Sequence, residues 1–230
     1  MVGVTASGFT DFAESDETRL TEWLRARSEP AWTEATTHPF TRELADGSLD
    51  PDAYADYLVQ DYTFVDTLVS LVGYGVGQAP TMQQKRRLVE FLDTVTDEED
   101  DYFERSFEAL GVTPEAYENS PLAEPTAALR DLLCRAATTG DYAETLAVLL
   151  PVEWVYLAWA EAVETPDDPF YYREWVTLHD NPEFASFVSW LCEELDTLGP
   201  TLAPYRQRRV ASLFTRAVHL EVAFFDAAYR

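Results

Sequence analysis

From Ala147 to Trp159 the chain is almost wholly apolar, and Glu153 is the one acid in the run. The pattern predicts a helix. Pro151 sits inside it, where the missing N–H is expected to bend the helix. Beyond the bend, Val152, Tyr156 and Trp159 fall on one face, with Trp154 and Leu157 on another. A helix that is apolar nearly all round is a buried one. A Glu on such a helix requires a partner or a job.

Helical periodicity and punctuation extend over the rest of the chain. Ser15-Asp16 followed by Glu17 reads as a helix start, with the helix running to about Ser28 before Pro30. His38-Pro39 opens a short helix ending at Gly47. Asp50-Pro51 combines a capping side chain with proline at the first helical position, and the helix runs on to Ala79. Tyr57, Asp61, Phe64, Val65 and Leu68 lie on or near one face of it. Pro80 opens a helix ending at Gly111, and Thr113-Pro114-Glu115 starts a short one. After the loop marked by Pro121 and Pro125, a helix runs to about Thr138 and stops at Gly140. Asp141 caps the central apolar helix, and Thr165 to Pro169 ends it. Asn181-Pro182 and Gly199-Pro200 mark the last two long helices. No stretch alternates as a strand would, and there is no internal repeat. The expectation is a single all-α bundle over residues 15–230, preceded by a loose arm over residues 1–14.

Two local patterns resemble ligand loops and fail on context. Gly73-Tyr74-Gly75-Val76-Gly77 lies inside a helix rather than between strand and helix, so the glycines point to close helix approach or a kink. The run Asp97 to Asp101 lacks the alternating ligands, central glycine and closing Glu of a calcium loop, and reads as a solvated face.

Composition narrows the function. The chain has 230 residues, 42 acids against 16 bases, and a formal charge of −26. Lys85 is its sole lysine. Acid spread along the chain suggests a coat suited to concentrated potassium salt, where screening suppresses self-repulsion. It excludes nucleic-acid binding, which requires a basic footprint. Cys134 and Cys192 sit in apolar helical contexts and form neither a disulfide framework nor a metal spacing. The acidic N-terminal segment has no signal-peptide pattern, and the apolar run from Ala147 to Trp159 is too short and too interrupted to span a bilayer. A cytoplasmic protein without membrane contact is the expectation.

Few polar side chains fall on faces expected to be buried: Asp61 with Tyr57, Glu153 with Tyr156, and Glu221 on the last helix. Carboxyls in an aromatic-lined bundle cavity suit a small-molecule site, and neighbouring acids split their proton affinities into acid and base roles. The plain alternative is that each acid is tied to a core Arg or Tyr. The helices from Pro51, Asp141 and Pro200 are expected to line the cavity.

Several blocks resemble the TenA/thiaminase II family, whose fold is the heme-oxygenase-like helical bundle. They are His38-Pro39-Phe40 with Leu44 to Leu49, Tyr57-Leu58-Val59-Gln60-Asp61-Tyr62, Leu149 to Tyr156, and Glu221 through Tyr229-Arg230. They occur in the family's order. The resemblance implies that Asp61 holds an aminopyrimidine ring and that Glu221 lies on the pyrimidine edge. Tyr57, Phe64, Val152, Tyr156, His179 and Phe225 complete the implied substrate-binding set. The family's nucleophilic cysteine falls on Val152, so covalent thiaminase chemistry is not expected. Phe64 and His179 stand where the family carries tyrosines. The sequence looks more like a cysteine-lacking branch that works through carboxylates, which makes Glu221 and Glu153 the catalytic candidates. Glu153 is rotated by roughly a hundred degrees from Val152 and is expected at the pocket rim or against a neighbouring helix.

The resemblance implies an aminopyrimidine hydrolase of thiamin salvage without cofactor or metal, forming a homodimer or homotetramer. The alternatives are a pyrimidine-binding or regulatory protein and, last, an oxidase on the same fold. His38, His179 and His219 have no mutual metal spacing.

Overall fold

The structure is a computed structural model that describes residue 12 and residues 19–229. Apart from residue 12, the expected arm lies outside the described residues, as does the Ser15-Asp16 helix start.

Among the described residues every regular element is helical. In order they are α1 (Leu20–Arg27), α2 (Ala31–Thr36), α3 (Pro39–Ala45), α4 (Pro51–Gln78), α5 (Met82–Thr94), a π-helical turn (Val95–Glu99), α6 (Asp100–Leu110), α7 (Pro114–Glu118), α8 (Glu124–Thr139), α9 (Tyr142–Ala160), α10 (Phe170–His179), α11 (Pro182–Leu198), a 3-10 turn (Gly199–Thr201) and α12 (Pro204–Ala227).

The caps explain many of these boundaries. Asp50 accepts from the Asp52 N–H at 2.9 Å, with Pro51 as the first residue of α4. Asn181 accepts from the Phe184 N–H at 2.8 Å and starts α11. Asp141 opens α9 with a capping box: it accepts from Ala143, and Glu144 accepts from the Asp141 N–H at 3.2 Å. The Arg206 guanidinium of α12 then binds Glu144 at 2.6 Å and also reaches Asp141. This clamp ties the start of the core helix to α12.

Helix α9 is the axis of the bundle. It packs on α2, α4, α8, α10, α11 and α12, and all its residues except Trp154 and Ala158 are buried. Trp154 meets Trp32 of α2 edge-on, with ring centroids 4.9 Å apart. Pro151 lies within one continuous helix.

Several expectations need correcting. Helix α2 follows Pro30 directly, where the sequence pattern suggested no element; proline is tolerated at a helix start, where its N–H would be unpaired anyway. Pro80 does not open α5. Thr81 caps it through a reciprocal box with Gln84. Gly140 stops α8 without a left-handed backbone, and the constraint there is space. A Cβ would stand 2.5 Å from Glu144 Cβ and 2.6 Å from the Ala136 carbonyl oxygen. Of the α4 glycines, Gly75 makes the close approach, to Leu88 and Thr145, while Gly73 and Gly77 face open space. The Pro80–Gly111 helix is divided by the π turn.

Candidate active site

A cavity of about 870 Å³ opens between α4, α5, the π turn, α6, α9, α10 and α11. Asp61, Phe64, Val65 and Leu68 enter from α4 at positions i, i+3, i+4 and i+7, which share one helix face. Helix α9 contributes Val152, Glu153 and Tyr156. Positions 152 and 153 lie four and three residues before Tyr156, so both sit on the turn beneath it, and the rotation between them does not remove Glu153 from the cavity. Phe91, Trp175, Phe184 and Phe187 supply aromatic walls. Of the helices expected to line the cavity, α4 and α9 do so. Helix α12 contributes no residue to the lining; its Phe224 and Phe225 pack against the lining residues Phe64 and Tyr156.

Glu221, Tyr57 and Phe225 form part of the layer behind. Phe225 packs against Tyr156 at 5.8 Å and against Phe40 at 5.4 Å. Tyr57 donates to Asp61 Oδ2 at 3.1 Å, and its oxygen meets the Tyr156 hydroxyl at 2.7 Å. Glu221 is fully buried, and its Oε1 has no hydrogen-bond partner.

The carboxyls are held in an unusual state. Burial pushes Asp61 up to about 7, against a smaller downward pull from the Tyr57 hydroxyl. Burial, followed by the charge of Asp61, pushes Glu99 up to about 8. Glu153 is raised well above the carboxylate range by burial and then by Glu99, Glu221 and Asp61. Glu221 is raised similarly by burial and by Asp61. Removing four mutually repelling charges from water is unfavourable, so protons remain on most of them near neutral pH.

His179 is the opposite case. Its Nδ1 lies 2.8 Å from the Trp175 carbonyl oxygen, which only accepts, so Nδ1 carries the proton and Nε2 keeps its lone pair. Burial lowers its pKa to about 4, and the bond to Trp175 offsets part of that shift. The ring at the cavity wall is therefore neutral at pH 7.

The profile of the TENA/THI-4/PQQC family matches residues 25–230. The chain belongs to that family. It is 26% identical over 210 residues to the aminopyrimidine aminohydrolase of Halalkalibacterium halodurans, covering 90% of this chain and 93% of the relative. To the protein of the same name from Bacillus subtilis it is 23% identical, covering 92% and 90%. Among solved structures, a TenA homologue from P. horikoshii superposes with a TM-score of 0.81 at 25% identity, covering 92% of this chain and 99% of that one. A domain with a heme-oxygenase-like fold from Shewanella denitrificans gives 0.65 at 16% identity, covering 91% of each chain. The all-helical, heme-oxygenase-like architecture is thus established.

Val152 is a wall residue of the cavity. Cys134 is exposed on α8, which corrects the expectation of a core thiol there, while Cys192 is buried on α11. Neither lines the cavity. His38 caps α3 by accepting from the Phe40 N–H at 3.2 Å. The sequence pattern missed Glu99, Tyr102 and Trp175. Trp175 could have been found, since it stands four residues before His179 on the same face. Glu99 could not. It belongs to the acidic run read as solvated, and the π turn changes the register that helical counting assumes.

Proposed function

We propose that this protein hydrolyses a carbon–nitrogen bond on an aminopyrimidine, using carboxyl groups in place of a thiol. The observation that carries the reading is the convergence of Asp61, Glu153 and His179 on one aromatic-walled cavity whose α9 wall presents Val152. The names of the similar proteins support the substrate class. Asp61, half ionised near pH 7, accepts from the ring's amino group and fixes its orientation. Trp175 and Phe184 stack on or beside the ring. Glu153, protonated and in contact with the cavity, delivers a proton to the leaving nitrogen. Glu221 lies behind it and keeps Glu153 in the protonated form by proximity. With a hydrocarbon at position 152, no covalent adduct to that residue forms, and water attacks directly.

The same reading makes this a protein of the cysteine-lacking type, cytoplasmic and homo-oligomeric, with a surface suited to high salt. The deciding experiment pairs a calorimetric titration of a 4-amino-5-(aminomethyl)pyrimidine with an assay for released ammonia. Binding with turnover is expected. Binding without product would identify a pyrimidine-binding protein, and no binding would refute the assignment.

A further inference from the structure

We propose that Glu99 is a catalytic carboxyl of this site, exchanging protons with Glu153 across the cavity. The inference rests on the hydrolase reading above and goes beyond it by adding a residue from a different wall.

The first argument is placement. Among the acids Asp97 to Asp101, exposed Asp97 and half-buried Asp100 do not reach the cavity, while Glu98 and Asp101 line it from exposed positions. Glu99 is half-buried and lines it. Burial is the largest influence on its proton affinity, ahead of the charge of Asp61. The π turn Val95–Glu99 is the only π-helical segment among the described residues, and it lies where the wall bounds the site. Such turns present side chains that an uninterrupted α-helix would direct elsewhere.

The second argument is the lack of a structural partner. Glu144, a buried Glu with a structural role, is tethered by Arg206 at 2.6 Å. Neither Glu99 nor Glu153 has a hydrogen bond or ion pair among the described residues. The cations near them are already engaged. Arg87 of α5 binds Glu90 and donates to Ser186, and Arg105 of α6 binds Asp101 and Glu174. His179 of α10 is neutral, and Glu183 of α11 adds only negative charge. Glu99 therefore faces Asp61 and Glu153 without compensation, and two such carboxyls together hold a proton.

The third argument is division of labour. Glu99 is the more easily ionised of the two, because Glu153 is further raised by Glu99 itself. In the hydrolytic step ionised Glu99 takes one proton from water as the water oxygen bonds to carbon. The C–N bond breaks, its electron pair leaves with nitrogen, and protonated Glu153 supplies that nitrogen with its proton. With the aminomethyl pyrimidine the products are an alcohol and ammonia. Glu99 is left protonated and Glu153 ionised, and transfer of the proton back to Glu153 restores the starting state.

The test uses the full chain with the 4-amino-5-(aminomethyl)pyrimidine. Glu99→Gln should lower kcat by about a hundredfold or more while KM changes by less than about threefold. The rise of kcat with pH, centred near 8 in the wild type, should disappear. Glu99→Ala should regain turnover as formate is added, since a small carboxylate can occupy the vacated space. Asp97→Asn serves as the control and should leave kcat unchanged. Wild-type kcat in Glu99→Gln, or an unchanged pH limb, would overturn the role of Glu99 alone. A wild type that neither binds nor turns over the pyrimidine would refute the hydrolase reading and this role with it. Loss of activity without formate rescue, accompanied by a lowered Tm, would assign Glu99 to folding instead.

Discussion

Tyr156 and Asp61 are connected through a residue that does not line the cavity. Tyr57 donates its proton to Asp61, so at its 2.7 Å contact with Tyr156 it must accept. The Tyr156 proton is thereby committed to Tyr57. Asp61 is supported from behind by a two-tyrosine relay, which sets its carboxylate in one orientation.

Asp61→Asn should weaken pyrimidine binding by about ten- to a hundredfold, the range for losing a charged hydrogen bond. The amide keeps the shape but places a donor opposite the Tyr57 hydroxyl. Calorimetric titration measures this, and an unchanged Kd would remove Asp61 from the site.

Glu153→Gln should lower turnover by about a hundredfold or more and leave binding within a few-fold, as expected on losing a general acid. Glu221→Gln should have the smaller effect, because Glu221 acts through Glu153. The reverse order of the two variants would place Glu221 at the reacting atoms.

The double variant Cys134→Ala with Cys192→Ala should keep its hydrolytic rate when assayed well below its Tm. Neither thiol lines the cavity, and burial pushes Cys192 up to about 12, which keeps it protonated. A large loss of rate would point to a thiol mechanism.

Stability should fall as pH rises from 6.5 to 8. Asp61 and Glu99 have folded-state values near 7 and 8, above their ordinary ones of 3.8 and 4.5. The folded protein therefore holds protons that the unfolded chain has released, and deprotonation removes that advantage. His179, at about 4 instead of 6.5, has the opposite effect, but only below 6.5. Above 6.5 the carboxyls act without that opposition. Chemical denaturation at both pH values measures the difference, and Asp61→Asn should flatten the slope. A stability that rises over that window would contradict the protonated cluster.

Tm should rise substantially between low and molar potassium chloride, because a charge of −26 repels itself most strongly when unscreened. An unchanged Tm would show that the acidic coat carries no salt requirement.

Caps and core were legible because they are local. Asp50-Pro51, Asp141 and Asn181-Pro182 each fix a helix start with a side chain two or three residues from its target. The apolar density of α9 likewise indicates burial without knowledge of its neighbours. Depth within the site was not legible. Glu221 and Glu153 both read as buried acids on apolar helices, and only the assembled cavity, which Glu153 lines and Glu221 does not, separates them. Glu99 escaped because its meaning depends on a π turn, a departure from the period on which the reading relied.

The central place of α9 has a consequence for synthesis. It has 19 residues, and an 18-residue window of them has a mean hydropathy of 1.3, enough by length and composition to cross a membrane; their burial depends on partners made before and after them. Translation delivers α4 and α8 first, whereas α11 and α12 emerge later. Until α12 has been made, the α12-facing side of α9 is uncovered, transiently exposed apolar surface of the kind that makes folding intermediates prone to aggregate. The arrival of α12, fastened by Arg206, covers it.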